Sequence, residues 1–116
     1  MLTEKTQTFA IKVLQLCEHI QRDSIKVIVA RQLGRSATSI GANTYEAKYA
    51  ASTDDFVNKY RIALKECHET EYWLQLGLRA EYFAEEEVTP LLHECGVIRK
   101  MIIKSINTAN KTKGDK

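Results

Sequence analysis

Apolar residues recur at intervals of three and four through most of the chain, and this spacing places them along one side of an α-helix. The pattern is clearest in four segments, at about residues 3–22, 24–51, 53–79 and 85–107. One proline and five glycines are spread over 116 residues, so little interrupts the helices. The sequence therefore predicts an all-α fold, an antiparallel up-down-up-down four-helix bundle that occupies residues 1–106.

Local signals support the predicted helix ends. Asp23 and Ser24 are good N-caps for the second helix, and Ser52 is followed three residues later by Asp55 in a pair that resembles a capping box. Pro90 falls near the first turn of the fourth helix, where a missing backbone amide does no harm. Residues 107–116 are basic and lack apolar periodicity, which predicts a disordered tail.

The composition favours a cytoplasmic protein with one core. An apolar content of 44% is enough to form that core without a metal or a disulfide. The three cysteines, Cys17, Cys67 and Cys95, form no Cys-x-x-Cys pair, and an odd number of them with no leader peptide favours a reducing compartment. No apolar run approaches the roughly 20 residues that a membrane span requires, so we expect no membrane association.

The small net charge of +2 conceals three blocks of opposite sign. Residues 1–65 carry a net charge of +4, residues 66–94 carry −7, and residues 95–116 carry +5. Such blocks are either solvated helix faces or complementary surfaces that dock a partner or another subunit. The sequence leaves both interpretations open.

Polar residues interrupt the apolar stripes of the second and third helices. Asn43 lies three residues after Ile40 and is therefore predicted to face inward, with Glu46 at the edge of the same face and Glu71 facing inward from the third helix. One interpretation is a buried polar network that sets helix register or subunit pairing. The other is a ligand or phosphate site lined by the same residues. Gly41 would let another backbone approach, at a helix crossing or a subunit interface.

No motif indicates catalysis. A di-iron site in a bundle needs Glu-x-x-His pairs, but no carboxylate stands three residues before His19, His68 or His93. The chain also lacks a Gly-rich phosphate loop, a His-Glu-x-x-His pair and a Gly-x-Ser-x-Gly motif. We therefore expect no enzymatic activity, no metal and no cofactor.

Two stretches resemble the signatures of a known family. They are RQLGRSATSIGANTYEA at residues 31–47 and DFVNKYRIALKECHETEYWL at residues 55–74. Both are similar, in the same order, to a bacterial four-helix-bundle family first found as open reading frames inside intervening sequences of 23S ribosomal RNA genes. The resemblance covers about residues 5–107. It departs from the family pattern at Gly41, at Ala47 and at Lys65 with Glu66.

The resemblance also assigns residues. The alanine-asparagine pair of the family falls on Ala42 and Asn43, and the glutamates of its pattern fall on Glu46, Glu69 and Glu71. The family fold implies a bundle that assembles into a homopentameric ring. It further implies kinship to the accessory protein of diversity-generating retroelements, a basic ring that binds nucleic acid and a reverse transcriptase.

Two functions are compatible with this resemblance. The first is a non-catalytic oligomer that binds RNA or DNA, including ribosomal RNA, through cations of the second and fourth helices. The candidate residues are Arg31, Arg35, Arg99, Lys100, Lys104 and Lys111, with Lys113 and Lys116 in the tail. The second is a protein-interaction scaffold without nucleic-acid binding, in which the acidic residues Glu85, Glu86 and Glu87 help to pair neighbouring subunits or to dock a protein partner.

Overall fold

The computed structural model describes residues 1–114, which form a four-helix bundle. The helices are α1 (Leu2–Cys17), α2 (Val27–Ala47), α3 (Thr53–Arg79) and α4 (Glu85–Gly114). Each helix packs against its neighbours in the sequence, and α1 also packs against α4. The described part of the chain is all-α and contains no strand. None of its helices combines the length and the apolar character needed to traverse a bilayer.

The apolar stripes of the four helices meet in one core. Its largest fully buried apolar side chains are Phe9 and Val13 from α1, Leu33 and Ile40 from α2, Leu74 from α3, and Val88, Ile98 and Ile102 from α4. Burying one such side chain stabilises the fold by about 1.5–3 kcal/mol. Hydrophobic burial from all four helices therefore holds the bundle together.

The connection between α1 and α2 is longer than the sequence predicted, because both helices are shorter there. α1 ends at Cys17 rather than near residue 22, and α2 begins at Val27 rather than at residue 24. The Ser24 hydroxyl accepts a hydrogen bond from the Lys26 amide at 3.2 Å, and the amide of Val27 bonds three residues back to Ser24. Ser24 thus forms a turn ahead of the helix instead of capping it, because its side chain competes for the local backbone.

The other two differences lie at the carboxyl ends of α2 and α4. α2 ends at Ala47 rather than at residue 51, because the amides of residues 48–50 bond to carbonyls three residues back and tighten the last turn. α4 continues to Gly114, so the predicted disordered tail is helical over residues 107–114. Ala109 packs against the core one turn beyond Ile106, and Lys113 forms an ion pair with Asp54. Residues 115 and 116 lie outside the described part of the chain.

Two glycines allow close approaches between elements. A Cβ atom at Gly41 would lie 2.9 Å from Thr6 Oγ1 and 3.1 Å from Thr6 Cβ, so glycine here admits α1 at the crossing with α2. A Cβ atom at Gly77 would overlap the ring of Phe83, which folds back over the end of α3. The amide of Tyr82 bonds to the Gly77 carbonyl at 2.8 Å, and Glu81 has a φ of 64°, as in a Schellman motif.

Candidate nucleic-acid interface

Three lysines line the solvent side of the carboxyl-terminal half of α4. Lys100, Lys104 and Lys111 are exposed, and their spacings of four and seven residues place them on one side of the helix. They span about 16 Å at the helical rise of 1.5 Å per residue. None of them takes part in an ion pair within the described residues. We call these three residues the lysine stripe.

The predicted arginines of the interface divide into paired and unpaired residues. Arg99 Nε donates a hydrogen bond to Glu71 Oε1 at 3.0 Å, and Arg35 Nη2 donates one to Glu69 Oε2 at 2.9 Å. Arg31 is exposed and forms no ion pair within residues 1–114. The sequence placed the two arginines and the two glutamates in different candidate sites, whereas the structure joins them in pairs.

The acidic residues at positions 66–94 do not neutralise the lysine stripe. Glu69, Glu71 and Glu94 pair with Arg35, Arg99 and Lys12, respectively. The exposed run from Glu85 to Glu87 occupies the first turn of α4, where carboxylates favour the helix dipole. Lys100 follows Glu87 by thirteen positions, about 20 Å along the helix. This distance exceeds the Debye length of about 8 Å at physiological ionic strength, so screening weakens the influence of the run on the stripe.

The residues of the predicted polar network are bonded elsewhere. Asn43 is half-buried, and its amide donates to the Ser39 carbonyl of the same helix at 2.8 Å. Glu46 is exposed and accepts a hydrogen bond from Lys59 Nζ at 2.8 Å. Since Glu69 and Glu71 bind arginines, the structure does not bring the four residues together.

A different polar cluster is buried between α2 and α3. The hydroxyls of Ser36 and Thr70 lie 2.9 Å apart, and the Thr70 hydroxyl lies 2.8 Å from the Glu66 carbonyl of the preceding turn. All three residues are buried. We call them the polar seam. Ser36 and Thr70 follow Leu33 and Cys67 at a spacing of three on the apolar stripes, and this spacing is the sequence signal for their burial.

Glu66 is the one acidic residue of the polar seam, and its carboxylate is poorly bonded. Its Oε2 atom is buried and has no hydrogen-bond partner in the structure, and its contact with Arg35 Nη1 is long at 3.9 Å. Burial raises the pKa of Glu66, and the nearby Glu69 raises it further, while Arg35 and Lys65 pull it down less strongly. Its position in the contact between α2 and α3 indicates a structural role.

The three cysteines are free thiols. Burial raises the pKa of Cys17 to about 11. A hydrogen bond with Cys67, together with burial, raises the pKa of Cys95. These two thiols are therefore protonated at neutral pH and are weak nucleophiles. Within residues 1–114, no three side chains among His, Cys, Asp and Glu gather as a metal ion would require.

The sequence of residues 2–104 matches the model of a family described as 23S rRNA-intervening sequence protein. The chain belongs to this family. The resemblance inferred from the two signature stretches is thereby confirmed. Membership in the 23S rRNA-intervening sequence family accounts for the four-helix bundle but assigns no activity to the lysine stripe.

A solved structure supports the same classification. The chain is similar to the crystal structure of a protein with unknown function from the S23 ribosomal protein family of Bacteroides thetaiotaomicron VPI-5482. The two chains are 39% identical, the similarity covers 91% of this chain and 98% of the other, and the TM-score is 0.86. No curated protein sequence matches the chain significantly.

Proposed function

We propose that this member of the 23S rRNA-intervening sequence family is a non-catalytic cytoplasmic protein that binds nucleic acid as a ring-shaped oligomer. The observation that carries the proposal is the lysine stripe, Lys100, Lys104 and Lys111, which is exposed and free of ion pairs within the described residues. Lysines that lack an acidic partner can neutralise phosphates and release their counterions. Arg31 adds a further cation on α2 that forms no ion pair within residues 1–114.

The proposed bundle is antiparallel, with an up-down-up-down order. In the α1–α2 pair, Thr6 lies beside Gly41 and Cys17 bonds to Ala30, so residue numbers rise along one helix as they fall along the other. In the α3–α4 pair, the same inverse order holds, with Asp54 beside Lys113 and Glu71 beside Arg99. The contact of Lys26 Nζ with the Tyr82 ring, at 5.6 Å, supports placing the first and third connections at one end.

Assembly would multiply a modest binding surface. Three lysines on one copy form a weak site, but several copies bound to one nucleic acid act with a high effective concentration. The family resemblance implies five copies, which would present fifteen stripe lysines on one particle. Arg35 and Arg99 have a different proposed role, because their ion pairs with Glu69 and Glu71 hold helices together.

The test is binding to labelled ribosomal RNA fragments and random duplex DNA across a salt series, with the mass of the protein measured in the same buffers. The variant replaces Lys100, Lys104 and Lys111 with glutamine. The control makes the same replacement at Lys5, Lys26 and Lys65, which are exposed lysines outside α4, so both variants have the same net charge. We expect the stripe variant to lose at least tenfold in affinity and the control to lose less than threefold.

The salt dependence adds a second criterion. Each phosphate that the variant no longer neutralises should reduce the slope of log affinity against log salt concentration by about 0.7–0.9. A stripe variant that keeps the wild-type affinity and slope would show that the stripe does not contact phosphate. An oligomer that binds no nucleic acid at any salt concentration would instead favour the protein-interaction scaffold, for which the exposed acidic run at the start of α4 is the candidate docking surface.

A further inference from the structure

Two tyrosines and a lysine lie together at the carboxyl end of α2. Tyr45 is 46% exposed and Tyr49 is 75% exposed, and the centroids of their rings are 5.9 Å apart. Lys48 Nζ lies over the Tyr45 ring, 4.9 Å from its centroid. Lys48 is exposed and forms no ion pair within the described residues. We call Tyr45, Lys48 and Tyr49 the tyrosine cluster.

The backbone at the end of α2 holds the two rings side by side. Tyr45 and Tyr49 are four residues apart, a spacing that makes side chains neighbours on a helix. The last regular residue of α2 is Ala47, but the amide of Tyr49 bonds to the Glu46 carbonyl at 3.0 Å, so the chain stays coiled as far as Tyr49. Neither tyrosine is part of the hydrophobic core. Packing of the core therefore does not explain why the two rings lie here.

The tyrosine cluster and the lysine stripe meet at one end of the bundle. An open depression of about 430 Å³ lies between the carboxyl end of α2, the start of α3 and the carboxyl end of α4, and its lining includes Lys48, Thr53 and Thr112. Lys111 of the stripe directly precedes Thr112. An extended polyanion bound along the stripe therefore has a short path across this depression to Lys48.

The acids near this path do not pair with Lys48. Glu46 and Asp54 bind other lysines, and the distance from Glu46 Oε2 to its lysine is 2.8 Å. Asp55 lies in the first turn of α3, where the helix dipole favours a carboxylate. The ammonium group of Lys48 is thus available to an external phosphate.

Exposed aromatic rings beside cations suit one class of nucleic acid. In a duplex the faces of the bases are covered by neighbouring base pairs, whereas an unpaired base can stack on an aromatic side chain while the phosphates of its strand contact cations. We propose that Tyr45 and Tyr49 stack on unpaired bases of single-stranded RNA or DNA and that Lys48 binds a phosphate of the same strand. This inference rests on the nucleic-acid binding in the proposed function and names the class of nucleic acid bound.

The test uses three probes of equal length, which are an oligothymidine strand, an abasic strand and a duplex. The abasic strand carries the same phosphates without bases, so its comparison with oligothymidine isolates the contribution of the bases. One variant replaces both Tyr45 and Tyr49 with leucine, and a second replaces both with phenylalanine, which keeps the rings. The matched control is Tyr72→Leu on α3, where the tyrosine is 57% exposed. Light scattering measures the mass of each protein, and circular dichroism measures its helicity.

We expect the wild type to bind oligothymidine at least tenfold more tightly than the abasic strand. The leucine variant should lose at least tenfold in affinity for oligothymidine, with the mass, the helicity and the affinities for the abasic strand and the duplex unchanged. The slope of log affinity against log salt concentration should also stay the same, because stacking releases no counterions. The phenylalanine variant and Tyr72→Leu should stay within twofold of the wild type.

Three results would overturn the inference. Equal wild-type affinities for oligothymidine and the abasic strand, or an unchanged affinity of the leucine variant for oligothymidine, would show that the rings do not stack on bases, while binding through the lysine stripe would stand. A leucine variant with a lower mass would show that the tyrosines pack against another protein chain. A wild type that binds none of the three probes at low salt would overturn both this inference and the proposed function.

Discussion

The polar seam and the lysine stripe use polar side chains in opposite ways. In the seam, the hydroxyls of Ser36 and Thr70 are buried and bonded to each other and to the backbone. In the stripe, the lysines project into water and have no acidic partner within residues 1–114. A buried group loses its hydrogen bonds to water and must recover them inside the protein, whereas an exposed cation remains available to an external anion.

Arg99 and Lys100 bring this difference to neighbouring positions of one helix. Arg99 turns toward α3, and its ion pair with Glu71 leaves it only 28% exposed. Lys100 lies about 100° further around α4 and is exposed. A cluster of positive charges in a sequence can therefore contain residues that hold the fold together and residues that can bind a ligand.

The largest expected effect on stability comes from the seam. Thr70→Val keeps the shape of the side chain but removes a hydroxyl that is within hydrogen-bond distance of Ser36 and of the Glu66 carbonyl. We expect the free energy of unfolding to fall by about 1–2 kcal/mol. Chemical denaturation monitored by circular dichroism measures this change.

The control for Thr70→Val is the same substitution at an exposed threonine. The Thr112 hydroxyl also donates to a carbonyl one turn earlier, at 3.0 Å, but water can replace that bond. Thr112→Val should change stability by less than about 0.5 kcal/mol. Equal losses at the two positions would contradict the distinction between the seam and the surface of α4.

A smaller effect on stability should distinguish the substitution of Arg99 from that of Lys100. Arg99→Gln breaks a half-buried ion pair and should cost about 1 kcal/mol of stability while leaving nucleic-acid affinity within a factor of two. Lys100→Gln should leave stability within about 0.5 kcal/mol of the wild type and lower the affinity. Denaturation curves and a binding titration on each variant provide both measurements. The division of roles is wrong if Arg99→Gln weakens binding more than Lys100→Gln does.

The smallest effect concerns the pH dependence of the seam. The pKa of Glu66 is raised in the folded protein, so the folded state holds the proton more tightly than the unfolded chain does. Its contribution to stability is complete below the ordinary value of 4.5 and is lost as the pH rises through the raised pKa. Glu66→Gln removes this loss, and we expect a gain of up to about 1 kcal/mol at neutral pH relative to the wild type.

Thermal melts between pH 4 and pH 8 test this expectation. The difference in melting temperature between Glu66→Gln and the wild type should grow from the acidic end of the range toward neutrality. A constant difference across the range would mean that the ionisation of Glu66 does not act on stability. A decreasing difference would mean that Arg35 stabilises the carboxylate more than burial penalises it.

Much of the fold was accessible from the sequence because amphipathic helices are encoded locally. The spacing of residues such as Phe9 and Val13, or Ile98 and Ile102, indicates a buried helix face without knowledge of what covers it. The helix ends were harder to predict from the sequence. The end of α2 depends on tight backbone bonds after Ala47, and the extension of α4 is accompanied by the ion pair of Lys113 with Asp54 on another helix.

Only part of the candidate site could be predicted from the sequence. The sequence identified the cations of α2 and α4 but could not divide them, since the acids that pair with Arg35 and Arg99 lie 34 and 28 residues away along the chain. It also drew Asn43 and Glu71 into one network, although Asn43 bonds within its own helix.

The sequence by itself determined the helical class, the family and the positions of the charges. These depend on local periodicity and on residue identity, which are properties of a single segment. Only the tertiary structure decided that Arg99 is paired and Lys100 is free, that Ser36 meets Thr70, and that Gly41 admits Thr6 within the described residues. Each of these outcomes depends on how separate helices pack and on which of their side chains then lie within a few ångströms of each other. A local sequence pattern does not determine such distances.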